Sequence, residues 1–347
     1  MKKPTSESVK IAQLISEFLN SYVLNQKTSS YNTLKTYQDT LAVYLKFLET
    51  EKNITSDNLS KEVFCRKNIE EWLIWLKEKR NNSPESCNGR LAALRTFLKF
   101  LGSHDVSYLY LYLESCEISR RKCQKKKVEG LTRNAVKALM EAPDTSSRSG
   151  KRDMVFIILI YSVAARLDEI LSLKIKNVHL SFEHPYISIV GKGNKIRTIY
   201  LLPKVVSHLK KYIDEFHGSN PEPEAYLFYS RNTGVFGKLT QPAISKMLKK
   251  YAKQAHETCK DVPLTLHAHQ FRHAKASHWL EDGMNIVQIS FLLGHEQLET
   301  TMVYLDITNE DKAKALATLE DEKDKAITPK WKNKDGTLLD FCGVRKK

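Results

Sequence analysis

Apolar residues recur at helical spacing along most of this chain, and one strongly basic run breaks the recurrence near its middle. Val9, Ile11, Ala12, Leu14, Ile15, Phe18, Leu19 and Val23 form a first stripe. Tyr37, Leu41, Tyr44, Leu45 and Leu48 form a second, with Ser30 and Asn32 as its caps. Ile69, Trp72, Leu73 and Leu76 make a third, and Leu91, Leu94, Phe97, Leu98 and Leu101 a fourth, entered through Ser83-Pro84. Four amphipathic helices with short turns predict a compact bundle. The pattern then stops at Arg120-Arg-Lys-Cys-Gln-Lys-Lys-Lys127, which reads as a linker between domains.

Beyond the break the pattern is still mostly helical. Thr132 is a predicted N-cap for a helix beginning near Arg133. Helices are predicted at Met154–Ala164, Leu167–Leu173, Val205–Phe216, Gln241–His256, His269–Glu281 and Ile286–Leu293. Tyr186-Ile-Ser-Ile-Val190 and Ile196-Arg-Thr-Ile-Tyr-Leu-Leu202 read as two strands joined by a glycine-rich turn. The expected fold is mainly α, of the α+β class: a helical bundle over residues 1–118, a basic linker over 119–130, a helical domain with a small β-sheet over 131–320, and a polar tail over 321–347. No internal repeat or low-complexity tract is visible.

Charge narrows the partner. Lys and Arg number 55 against 40 Asp and Glu, a formal net charge of +15. Such a balance favours a polyanion, nucleic acid first and an anionic membrane surface second. The basic run, with Lys125, Lys126 and Lys127, suits a strap across a phosphate backbone, where neutralised phosphates release counterions. Arg90 and Arg95 in the bundle are further candidate DNA contacts, and a solvated helix face is the plain alternative. The six cysteines form no CxxC pair and read as reduced thiols, so a cytoplasmic protein is expected. The opening residues lack an apolar signal core, and Met154–Ala165 is too short to span a bilayer.

Six residues of the second domain suit one chemistry. They are Arg166, Lys192, His269, Arg272, His295 and Tyr304. A phosphodiester repels nucleophiles, and charge builds on its non-bridging oxygens during attack. Two guanidiniums, Arg166 and Arg272, are always charged and bind such oxygens in pairs. Tyr304 supplies a phenolic nucleophile, His269 a proton acceptor, Lys192 an acid for the leaving sugar oxygen, and His295 a donor to a phosphate oxygen. No metal and no nucleotide cofactor is expected. His269-Gln-Phe-Arg-His273 lacks the glutamate of a zinc HExxH motif, and no GxxxxGK[ST] loop is present. Each residue has a plainer reading. Arg166 can pair Asp168 or Glu169, Lys192 can serve a hairpin turn, His295 can close a helix, and Tyr304 is one of 15 tyrosines.

In these motifs the chain resembles the tyrosine recombinases, the integrase family. Arg166 matches the arginine of T-G-[LM]-R-x-S-E-L, and Gly191-Lys-Gly-Asn-Lys195 resembles the family's hairpin turn. His269-Gln-Phe-Arg-His-Ala-Lys-Ala-Ser-His278 resembles H-x-L-R-H-x-x-A-T-H. Leu292-Leu-Gly-His-Glu-Gln-Leu-Glu-Thr-Thr-Met-Val-Tyr304 resembles L-L-G-H-x-x-[IL]-x-T-T-x-x-Y. Val163-Ala164-Ala165 departs from Thr-Gly-Leu, and Asp168 stands where serine is common. The resemblance implies a core-binding bundle and a catalytic domain clamping duplex DNA. It implies a 3′-phosphotyrosine intermediate, a homo-tetramer on two recombination sites, exchange through a Holliday junction, and an accessory directionality factor as a further partner. A helix at Asn309–Glu320 is then expected to pack on a neighbouring subunit. An integrase or transposase of a mobile genetic element is the leading reading, a Xer-like resolvase of chromosome or plasmid dimers the second. A supercoil-relaxing topoisomerase and a non-catalytic DNA-binding protein on the same scaffold complete the set.

Overall fold

The computed structural model describes residues 3–27, 31–123, 130–191 and 195–302. The chain forms two compact units, Met1–Lys126 and Lys127–Lys347.

In the first unit Thr5 opens α1 (Ser6–Glu17), its hydroxyl accepting from the Ser8 N–H at 3.1 Å. That bond satisfies one of the donors a first turn leaves without a helical partner. A wider π-helical stretch, Phe18–Lys27, continues it. There follow α2 (Tyr31–Lys52), a 3-10 turn (Lys61–Phe64), α3 (Arg66–Glu78), α4 (Pro84–His104) and α5 (Leu109–Glu117). Ser83 caps α4 as expected, accepting from the Ser86 N–H at 3.3 Å. Because α2 begins at Tyr31, Asn32 lies inside the helix and is not its cap, and Ser30 lies outside the described residues. Most of the predicted stripe residues are buried, with Phe18 edge-on to Phe97 and Tyr44 perpendicular to Trp72 at the centre. Val9 and Ala12 are the exceptions and face solvent.

The helix α5 was not expected. Its Leu109-Tyr-Leu-Tyr-Leu113 alternates where a helix should show a stripe, and the bundle buries Leu111 while leaving Leu113 exposed. Packing against α4 settles what local pattern does not. The start of the basic run is fastened to this unit. Asn88 and the Arg121 backbone exchange two hydrogen bonds of 2.9 Å, and the Arg121 guanidinium donates to the Leu73 carbonyl at 2.6 Å.

The second unit opens with α6 (Arg133–Glu141), capped by Thr132 as predicted, and α7 (Arg148–Val163). After α8 (Leu167–Leu171) come three antiparallel strands in the order β1 (Val178–His179), β2 (Tyr186–Val190), β3 (Ile196–Tyr200). Ile187, Ile189 and Ile199 point into the same core as the apolar side of α7. Then follow α9 (Pro203–His217), a small sheet of β4 (Tyr229–Ser230) and β5 (Gly234–Lys238), α10 (Gln241–Thr258), α11 (Ala268–Glu281), α12 (Ile286–Leu293) and α13 (Glu299–Met302). The sheet is therefore larger than the predicted hairpin. β1 and β4 are two residues long and β5 carries two glycines, too little pattern to read as strand. Among the described residues no helix is long and apolar enough to cross a membrane.

Candidate active site

The site is assembled where α7, α8, β3, α11 and α12 meet. The α7 helix ends in Ala164, whose backbone turns left-handed at φ 48° and ψ 30°. An L-residue is strained there by about 1 kcal/mol. Glycine holds this place in the Thr-Gly-Leu pattern, so the departure noted in the sequence touches backbone strain and removes no reactive group. The turn presents the Ala164 carbonyl to Arg272, whose Nη1 donates to it at 2.8 Å. Ala164→Val, branched and in a site with no exposed surface, is expected to destabilise the fold by about 2–3 kcal/mol in urea unfolding. Ala164→Gly should stay within about 1 kcal/mol of the parent.

Arg272 sits on α11 and is 1% exposed. Its Nη2 donates to the Leu293 carbonyl at 2.7 Å and to His295 Nε2 at 2.9 Å. A guanidinium only donates, so His295 Nε2 is the unprotonated nitrogen, and Nδ1–H is left to donate to Thr301 Oγ1 at 2.7 Å. Gly294 ends α12 with φ 65°, and the His295 N–H closes the cap on the Ser290 carbonyl at 3.1 Å. The plain reading of His295 as a helix-closing residue thus holds for its backbone. Its side chain lies against Arg272. In this arrangement both ring nitrogens are engaged within the protein, one with Arg272 and one with Thr301.

Arg166 stands just before α8. Glu169 reaches back to accept from its backbone N–H at 2.7 Å and from its Nη1 at 3.1 Å, the pairing foreseen as the plain alternative. The Arg166 side chain nevertheless stays 42% exposed. Asp168 is exposed on the next turn. Glu169 is buried and also meets Arg197 of β3 through two bonds, 3.0 Å and 2.6 Å. Burial pushes the Glu169 carboxyl up, but the hydrogen bonds and charges of Arg197 and Arg166 outweigh it and hold it below the usual range. Arg197 and Thr301 escaped the sequence reading. Arg197 had a usable signal: in a strand it shares a face with buried Ile199, and an inward cation demands a partner.

His269 occupies the same face of α11 one turn before Arg272. Burial, then the charges of Arg272 and Arg166, lower its pKa, which places it in the field of both arginines. Arg166, His269, Arg272 and His295 are therefore brought together. Lys192 and Tyr304 lie outside the described residues, as do Lys125, Lys126, Lys127 and the Asn309–Glu320 segment. Of the bundle candidates, Arg90 donates to the Asp39 carbonyl at 3.3 Å. Arg95 donates to the Ser115 carbonyl at 2.9 Å and the Ile118 carbonyl at 2.6 Å, closing the C-terminal end of α5. Among the described residues no group of three or more His, Cys, Asp or Glu is placed to hold a metal.

Residues 129–311, more than half of the chain, match the phage integrase family, and residues 15–104 match the phage integrase N-terminal SAM-like domain. The chain belongs to the phage integrase family. Members of this family, the tyrosine recombinases, cleave and rejoin DNA. This integrase-family chain is 30% identical over 300 residues to tyrosine recombinase XerD of Listeria monocytogenes serovar 1/2a, covering 85% of the chain and 94% of that protein. It is 28% identical to tyrosine recombinase XerC of Chlamydia caviae, covering 83% and 92%. Its fold is similar to XerH bound to its difH substrate, with a TM-score of 0.65 at 18% identity over 92% of this chain and all of that one. It is also similar to the Tn1549 transposon integrase with transposon-end DNA, with a TM-score of 0.67 at 14% identity over 89% and 98%.

Burial of the histidines predicts an acid sensitivity for this recombinase. Burial first, then neighbouring charge, lowers His295 and His273 from 6.5 to about 4 each, and His269 in the same direction. Between pH 6.5 and 4 the unfolded chain takes up protons that the folded chain refuses. Stability from these groups is therefore constant above that window and falls as pH drops through it. Urea midpoints measured at pH 7 and pH 5 should show the loss, with a shallower fall in His295→Gln.

Proposed function

We propose that this recombinase is site-specific and acts through a 3′-phosphotyrosine link formed by Tyr304, as the integrase or transposase of a mobile genetic element. The carrying observation is the junction of four charged or basic side chains on three helix ends, with Arg166 accessible and Arg272 held by three bonds. Arg166 and Arg272 neutralise the non-bridging oxygens as charge builds there. His269, kept neutral by its surroundings, accepts the phenolic proton. Lys192 protonates the leaving sugar oxygen. The phosphodiester energy is conserved in the covalent link, so rejoining is the same step reversed. Tetramer formation on paired sites, with the Asn309–Glu320 segment docked on a neighbour, and an accessory directionality factor belong to this reading. A structural neighbour, lambda integrase, is a tetramer on a Holliday junction. The run ending in Lys125, Lys126 and Lys127 is the strap against the phosphate backbone.

A second reading, resolution of chromosome or plasmid dimers, is favoured by one observation: the relatives of 28–30% identity named XerC and XerD are matched over 92–94% of their length. Sequencing the DNA that flanks the coding region separates the two, since an integrated element leaves repeated ends. The chemistry is tested with a duplex nicked near the cut site, which loses a short fragment and traps the protein. The expected product is a covalent adduct whose proteolytic digest carries the nucleotide on the peptide containing Tyr304. A salt-sensitive complex without adduct would reduce the chain to a DNA-binding module, and an adduct on another residue would remove Tyr304 as nucleophile.

A further inference from the structure

Beside Arg166 lies a buried carboxylate, and a carboxylate is an odd neighbour for a guanidinium meant to bind a phosphate. Glu169 alone would cancel the Arg166 charge. It is not alone. Arg197 meets it fork to fork, each Nη on a separate carboxylate oxygen, while its Nε donates to the Leu292 carbonyl at 3.1 Å. We propose that Arg197 is a positioning residue that takes up the charge of Glu169 and so leaves the charge of Arg166 to the phosphate. One carboxylate shared by two guanidiniums leaves one net positive charge on the cluster, and Arg166 is its exposed member, with Arg197 only 9% exposed.

The surroundings of Arg197 are built for it. The end of α12 offers two successive carbonyls, Leu292 to Arg197 and Leu293 to Arg272. These are among the acceptors a helix leaves open at its C-terminus, where the backbone dipole favours cations. Two glycines leave room for the guanidinium. A Cβ on Gly294 would come within 3.2 Å of Arg197 Cδ, and one on Gly191 within 3.3 Å of its Nη1. Arg197 therefore ties β3 to the end of the helix that precedes His295, as well as to the start of the helix that follows Arg166.

The inference rests on the reading of Arg166 as a phosphate-binding residue, and the experiment separates the two. Single-turnover adduct formation on the nicked duplex is measured for the full chain and for Arg197→Met, Arg197→Lys and the double variant Arg197→Met with Glu169→Gln. In Arg197→Met the buried carboxylate draws Arg166 into a neutral pair, and adduct formation should slow about 100-fold, with DNA affinity changed less than about threefold. Removing the carboxylate as well should restore at least about tenfold of that loss. A merely structural role predicts the reverse, because the double variant loses more contacts than the single. A double variant no faster than Arg197→Met, or Arg197→Met cleaving like the parent, overturns the inference. If Arg197→Met does not fold, Arg197→Lys decides: it keeps the charge without the fork, so a loss within about tenfold supports the proposal and a loss near 100-fold overturns it. Absence of adduct from the parent chain would instead defeat the recombinase reading itself.

Discussion

Arg272→Ala is expected to lower adduct formation by about 1,000-fold and to cost about 3–4 kcal/mol of folding stability. The stability loss comes from three bonds. The variant strips a partner from the Ala164 carbonyl, the Leu293 carbonyl and His295 Nε2, all around a side chain that was 1% exposed. Unpaired acceptors away from water cost about 1–3 kcal/mol each before relaxation or water entry softens the loss. The rate effect is separate in origin: a charge is removed from the place where the phosphate becomes more negative. Arg272→Lys distinguishes them. It restores charge, but an ammonium on a flexible stem cannot hold two carbonyls and a histidine in one plane. It should recover less than about a tenth of the lost rate. Urea unfolding and trapped-adduct kinetics on the same preparations give the two numbers. Near-normal cleavage by Arg272→Ala would take Arg272 out of the phosphate clamp.

What the sequence disclosed, and what it hid, divides along a physical line. Two local capping signals held, although Asn32 fell inside α2: Ser83 and Thr132 cap helices because a short side-chain oxygen reaches an N–H two or three residues on. The spacing His269-x-x-Arg272 put two groups on one face of α11, and the structure places both in the same field. Long-range pairings were invisible. Arg197 lies 28 residues from Glu169 in sequence and Arg272 lies 108 from Ala164, and no periodicity encodes those contacts. The left-handed turn at Ala164 was hidden for another reason, since alanine advertises no such conformation. Arg95 carries a contact that its sequence neighbourhood did not show. Its guanidinium closes the end of α5, a helix whose alternating pattern concealed it. Glu169 was seen only as a competitor for Arg166. Its second partner changes the meaning of that pairing, because a carboxylate already satisfied by Arg197 no longer silences its neighbour.

Tyr304→Phe is expected to abolish the covalent adduct, by at least about 10,000-fold, while DNA affinity stays within about threefold. The two outcomes follow from different parts of the molecule. Affinity for duplex DNA comes mainly from lysines and arginines that displace counterions from phosphates, and a chain with 55 of them against 40 acids loses none by this change. Covalent chemistry needs an oxygen to attack phosphorus, and phenylalanine has none. The two arginines and His269 cannot substitute for it: guanidiniums do not act as nucleophiles at neutral pH, and a phosphohistidine, if formed, would be lost in acid where a phosphotyrosine survives. Acid treatment of any residual adduct therefore reveals its origin. The decisive comparison is Tyr304→Phe beside Arg272→Ala on one nicked duplex. Loss of adduct in both with binding kept in the first separates the nucleophile from the clamp that stabilises its attack, and a trapped acid-stable adduct from Tyr304→Phe would mean that another hydroxyl performs the reaction.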